Sequence, residues 1–157
     1  MGTLNPQSVW KGLHTSSHCT QVTGDRIDSV AFFHTKFLCT ANIPGTSQTT
    51  SALLPGVYQT AVNIHNPQRK TVELRKKLAV AGGGISKFIN QKLEPDAATR
   101  VDCGDVPSFD LHLIHGFEGF LVIESTLSLD VVAVYTAGAR GADVASIDVE
   151  HVPERRL

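Results

Sequence analysis

The chain has 157 residues, only 18% of them charged, and 14 Lys and Arg against 15 Asp and Glu leave a formal net charge of −1. A single domain of this length buries about two-thirds of the surface its unfolded chain exposes, so folding requires neither a metal nor a disulfide framework. The composition excludes a disordered, charge-rich chain, and it lacks the overall basic excess that nucleic acid or an anionic membrane attracts, so neither is expected as a partner.

Residues Met1 to Ser29 are polar and rich in Thr, Ser and His, with Trp10 and Leu13 as the bulky apolar anchors before Val22. The opening MGTLNPQSVWKGLH lacks the apolar centre of an export signal, and no apolar run approaches the roughly 18 residues of a membrane-crossing helix. Cytoplasmic residence is the default expectation, with an extracellular or surface-assembled protein as the alternative. Gly2 does not open a myristoylation signal, because Pro6 stands where Ser or Thr is needed.

Val30 to Phe33 and Phe37 to Cys39 are short β-prone pieces around His34-Thr35-Lys36, and Ile43-Pro44-Gly45 reads as a turn. The polar run Thr46 to Ser51, TSQTTS, is the natural boundary. Residues 1–46 are therefore read as an N-terminal arm and 47–157 as the folded domain.

The stretch Gly56 to Val80 carries the clearest pattern. Tyr58, Thr60, Val62 and Ile64 share one side of an extended chain, as do Val72, Leu74, Leu78 and Val80, and His65-Asn66-Pro67-Gln68 supplies a turn between them. A β-hairpin is predicted, with Lys76 interrupting the apolar face and marking a bulge or strand end. After Gly82-Gly83-Gly84, residues Ile85 to Leu93 fit either a short helix or an edge strand, and Ala98 to Cys103 alternate as another strand.

Phe117 to Glu124 and Leu129 to Tyr135 are the most apolar runs and read as strands buried on nearly both faces. The last strand, Val144 to Val152, follows a Gly-rich hairpin, with Ile147 and Val149 expected inward and Asp148 and Glu150 outward. Short strands with turn signals about every ten residues and no crossover helices predict an all-β fold, an antiparallel sandwich of immunoglobulin-like or jelly-roll-like kind.

Several motifs also resemble a known group. G-x-Y-x-T-x-x-N-I-H-N-P from Gly56 to Pro67, L-x-P-D from Leu93, the Asp102-Cys103 pair, G-F-x-x-I-E-S from Gly119 and L-D-V-V-A-V-Y-T from Leu129 are similar to an uncharacterised family of small bacterial domains. That match covers about Leu54 to Val152, and a looser likeness extends to immunoglobulin-like bacterial surface modules. The resemblance implies a β-sandwich and no activity, and it carries over no functional residue.

Two sets of residues carry metal-ligating side chains. His112, His115 and Glu118 suggest a cupin-type metal site, but an offset of three puts the two imidazoles on opposite faces of a strand. His14, His18, Cys19, His34 and Cys39 offer zinc-type donors without a C-x-x-C anchor. The three cysteines, Cys19, Cys39 and Cys103, are expected reduced and buried, and a Cys19 to Cys39 bridge would need an oxidising compartment.

No G-x-S-x-G elbow or phosphate loop occurs, and the basic run Arg69, Lys70, Arg75, Lys76 and Lys77 reads as a solvated strand face. The expectation is thus a non-catalytic structural or interaction module with no cofactor. It would form a homo-oligomer through open strand edges and the arm, where Phe32, Phe33 and Phe37 could lie on a neighbour. A metal-dependent small-molecule enzyme or binder using His112, His115 and Glu118 is the alternative.

Overall fold

The computed structural model describes residues 31–46, 52–111, 116–139, 141 and 143–156. Within them run β1 (Ala31–Asn42), β2 (Gly56–His65), β3 (Val72–Val80), β4 (Ile89–Leu93), β5 (Ala98–Val101), β6 (Phe117–Ser125), β7 (Asp130–Gly138) and β8 (Val144–His151), with one 3-10 helix at Cys103–Phe109. Every ladder is antiparallel, in the order β4-β3-β6-β1-β2-β7-β8, with β5 also beside β2. The fold is an all-β, sandwich-like single domain.

β1 makes the sandwich from one continuous ladder. Its residues Ala31 to Cys39 pair with β6, and Cys39 to Asn42 pair with β2, so Cys39 belongs to both ladders. One layer is then β4-β3-β6-β1, and the other is β2-β7-β8 with β5. The two β-prone pieces of the sequence fuse into this one strand because His34-Thr35-Lys36 keeps the alternation, with His34 exposed and Thr35 buried.

β1 therefore lies inside the stretch assigned from sequence to the arm. Ala31, Phe33 and Phe37 are fully buried, so residues 31–42 belong to the sandwich, and Phe33 and Phe37 pack in their own core and are not free for a neighbour. Residues 1–30 lie outside the described residues.

The core is formed where the inward residues of both layers meet: Phe33 and Phe37 from β1, Val62 and Ile64 from β2, Leu74 and Leu78 from β3, Leu121 and Ile123 from β6, Val131 and Ala133 from β7. The Phe37 and Phe117 rings meet edge to face at 5.8 Å. Gly119 lets β6 approach β3, since a Cβ there would strike the Ala79 carbonyl.

The predicted hairpin of β2 and β3 does not form. Both strands exist with the expected inward residues, yet β2 pairs with β1, β5 and β7, while β3 pairs with β4 and β6. The Asn66-Pro67 segment is a corner that passes from one layer to the other. The fully buried Asn66 amide nitrogen faces the carbonyls of Lys70, Leu93 and Glu94 at 2.9 to 3.0 Å, and its Oδ1 accepts from the Gln68 N–H. Its backbone also bonds Asp96 and Ala97. One side chain thus ties the β2–β3 corner to the β4–β5 corner.

Other local readings resolve similarly. Ile85 to Leu93 is not helical, since Ile85 forms an isolated bridge with Ala79 and Ile89–Leu93 is an edge strand. Lys76 marks no bulge: the β3–β6 register runs unbroken past it, and its side chain points inward. The strand at Ala98 stops at Val101, because Asp102 caps a 3-10 helix, accepting from Gly104 N–H while Asp105 accepts from its own N–H. Val106 and Phe109 are the buried residues of that helix.

Cys39 and Cys103 are not reduced thiols. They form a disulfide between the pivot of β1 and the first turn of the 3-10 helix. Cys39 is therefore not available to Cys19, which lies outside the described residues. Closing a 64-residue separation is worth about 4 kcal/mol by the loop-entropy relation. The Cys39→Ser/Cys103→Ser chain is expected to unfold at a clearly lower denaturant midpoint than the oxidised protein. Asn66→Ala should cost about 2 kcal/mol, because buried carbonyls at two corners lose their donor. An unchanged midpoint in either case would contradict the corresponding contact.

Candidate functional site

The last strand departs most from the sequence expectation. β8 is joined to β7 alone, and every residue from Val144 to His151 is exposed. Ile147 and Val149, expected inward, are 65% and 60% exposed, and Val144 is 63% exposed. The register gives the reason. Ile147 lies opposite Thr136 and Val149 opposite Val134, and these continue the side of β2 that carries Gln59 and Ala61, which faces away from the core. β8 thus overhangs the sandwich, with an edge that no strand among the described residues pairs, an outer apolar side and an inner acidic one.

A hydrogen-bonded chain holds the overhang. The Tyr135 hydroxyl donates to Glu150 Oε2 at 2.6 Å and lies 2.8 Å from Thr35 Oγ1 on β1, so β7, β8 and the opposite layer are joined through one phenol. Partial burial first, and then the hydrogen bond to Glu150, pushes the Tyr135 pKa up to about 12. Beyond β8 the chain folds back: Val152 is buried, and Arg155 exchanges two backbone hydrogen bonds with Phe32, placing the start of β1 close to the end of β8.

Next to β8, the outer side of β2 and β7 forms a shallow cleft of 360 Å³ bordered by Gln59, Ala61, Arg100, Cys103, Val134 and Thr136. Its lining offers hydroxyls, an amide and one guanidinium, the latter paired with Asp102 at 2.9 Å. No nucleophile with an adjacent base lies among these residues.

The residues singled out from sequence are dispersed. His112 and His115 lie outside the described residues, as do His14, His18 and Cys19. Glu118 stands on the outer side of β6, paired with Lys36 Nζ at 2.8 Å. His34 is exposed on β1, and Cys39 is held in the disulfide, so the arm set loses a sulfur donor. Among the described residues, no group of three or more His, Cys, Asp or Glu side chains is placed to hold a metal ion.

Lys76 is the unusual buried cation. Its amine donates to Gln91 Oε1 at 3.0 Å, and Gln91 passes the chain to Thr99 at 3.1 Å. Burial lowers its pKa, opposed by the charge of Asp105. This polar thread, like the overhang, had no signal in the two-residue alternation. A lysine at an inward position was visible, but not the glutamine that satisfies it.

Fold and surface together define a small antiparallel β-sandwich domain with one overhanging edge strand. No family model matches the chain, and no curated protein matches it in sequence. Among solved structures, the crystal structure of Thermotoga maritima 1070 superposes with a TM-score of 0.54 at 6% identity, covering 81% of this chain and 96% of that one. The Anabaena sensory rhodopsin transducer gives a TM-score of 0.44 at 12% identity, over 66% of this chain and 95% of the other. The first likeness is one of fold alone.

The phenol supplies a pH test. A folded-state pKa raised above the ordinary tyrosine value of 10.0 means that the stability tied to protonated Tyr135 is present below pH 10.0 and is lost as pH rises toward about 12. Tyr135→Phe should remove that alkaline loss and cost about 1 kcal/mol at neutral pH, from the hydrogen bonds it deletes. Denaturant midpoints measured across this range check both, and an alkaline profile identical in the variant would sink the assignment.

Proposed function

We propose that this domain is a non-catalytic structural or interaction module that self-associates, with β8 as the contact strand and a second copy as its partner. The observation that carries the reading is the overhang: a strand of eight residues paired on one side, with Val144, Ile147 and Val149 in water. Long edges with apolar residues are templates for another strand, and proteins that do not use them cover, shorten or charge them. The other edges here follow that rule. β4 has five residues and carries Lys92, and β5 has four.

Strand chemistry favours a two-fold antiparallel pair centred on Ile147. In that register Ile147 meets the partner's Ile147, Val149 meets the partner's Ala145, and Asp148 meets the partner's Ser146. Moving the centre to Asp148 would oppose two like charges. A two-fold pair closes on itself, giving a discrete dimer and not a fibre. Phe32, at the start of β1, exchanges backbone hydrogen bonds with Arg155 in the chain beyond β8, which suits an arm before Ala31 to reinforce the same contact.

The disulfide bears on where the module works. A bond between Cys39 and Cys103 persists in oxidising surroundings and is reduced in most cytoplasms, which supports the surface-assembled or extracellular alternative over the cytoplasmic default.

Light scattering on the intact chain is expected to give twice the monomer mass at high concentration, falling on dilution. Ile147→Lys should give a monomer with unchanged circular dichroism. A wild-type protein that stays monomeric at every concentration would sink the reading.

A further inference from the structure

The Cys39–Cys103 bond lies near the surface of the sandwich and not in its core. A second shallow cleft, of 250 Å³, adjoins the 360 Å³ one and is bordered by Cys39, Thr40, Val57 and Gln59. Gln59 and Cys103 border both clefts, and Cys39 borders the second. The two cysteines are half-buried, whereas Phe37 and Val101, two residues before each of them, are fully buried. A thiol in solution therefore reaches Cys103 through either cleft, and disulfides open to solvent are the ones that exchange.

The fold does not hang on this bond. The 3-10 helix has its own capping box from Asp102 and Asp105, and Val106 and Phe109 anchor it in the core. β1 has nine residue pairs with β6 and four with β2. Cys103 Sγ lies 3.6 Å from the Leu38 carbonyl oxygen and 3.9 Å from that of Thr60. A disulfide sulfur has no hydrogen to give them, but a thiol does, so a reduced Cys103 finds acceptors already in place. The oxidised and reduced chains are then two folded states of one sandwich.

The same two oxygens decide which sulfur reacts. An attacking thiolate bonds to one sulfur of a disulfide, and the other departs with the electron pair. Carbonyl oxygens facing Cys103 Sγ disfavour a negative charge there, so the pair leaves on Cys39. Access points the same way, since Cys103 borders both clefts.

We propose that Cys103 is an exchange site for a low-molecular-weight peptide thiol, which opens the disulfide in the folded protein and stays on Cys103 as a mixed disulfide. The thiolate attacks Cys103 Sγ, the bond between the two cysteines breaks, and Cys39 leaves as a thiolate that takes a proton from water. A second peptide thiol then attacks the sulfur of the first and releases the Cys103 thiol. Two peptide thiols have become one peptide disulfide, and the protein disulfide has become two thiols. The cleft walls suit a peptide, with the Gln59 amide and the Thr136 hydroxyl in the same cleft as the sulfur.

What the reaction changes is the pivot. Opening the bond cuts the tie between β1 and the 3-10 helix and leaves the four-pair β1–β2 ladder to hold the change of partner. That ladder, Cys39 to Asn42 against Gly56 to Gln59, is the part that loosens. β8 is paired with β7 alone and keeps its edge in both states. The exchange site thus stands apart from the self-association proposed above, and either can fail without the other.

Reduced glutathione is the probe. The oxidised full chain, carrying Cys19→Ser so that the third cysteine takes no label, is incubated with it in native buffer, alkylated with iodoacetamide and mapped by mass spectrometry. At short times glutathione should appear on Cys103 and the alkyl group on Cys39. Circular dichroism should stay native, while amide exchange quickens in residues 39–42 and 56–59 and not in β8. Gln59 is exposed, and Gln59→Trp, which fills the wall shared by both clefts, should slow the opening roughly tenfold at an unchanged denaturant midpoint. The proposal is overturned if the bond opens only at denaturant concentrations that unfold the chain, if glutathione is found on Cys39, if the reduced chain loses its native spectrum, or if Gln59→Trp opens at the native rate.

Discussion

Two layers cannot share a strand unless that strand changes partners, and β1 does so at Cys39. The rest of the architecture follows from this constraint. The first part of β1 must face inward for one layer, which requires Ala31, Phe33 and Phe37 at alternate positions, and its last residues must serve β2. β2 and β3 then cannot be neighbours, because they sit on opposite sides of the pivot. The chain between them has to pass from one layer to the other at a corner, and the Asn66 side chain gives that corner's carbonyls a donor. The disulfide locks the same pivot to the 3-10 helix.

Much of the fold is legible in the sequence, since a period of two assigns each side chain to a face. Val62, Ile64, Val72, Leu74 and Leu78 are all buried as their spacing predicts. The same rhythm says nothing about which strand lies alongside, and so the β2–β3 hairpin and the inward Ile147 both failed. A hairpin and a layer-crossing corner use the same Asn-Pro chemistry. Ile147 and Val149 do lie on one side, but the β7–β8 register turns that side away from the core, so it meets water.

The outer faces of the layers were less legible for the same reason. Arg75 and Lys77 look like an ordinary wetted strand when read along β3. Across the sheet they share a face with His34 and Phe120, and those residues lie more than forty positions away in the chain. The Tyr135, Glu150 and Thr35 contact likewise joins three separate strands. Long-range juxtaposition, not local pattern, makes both surfaces.

The covalent loop from Cys39 to Cys103 encloses β2, β3, β4 and β5, strands from both layers. A protease that clips the polar link between β1 and β2 therefore cannot release a fragment. The two pieces would travel as one molecule on a denaturing gel and part only when reductant is added, so a cut there in an oxidising milieu would leave both layers covalently joined.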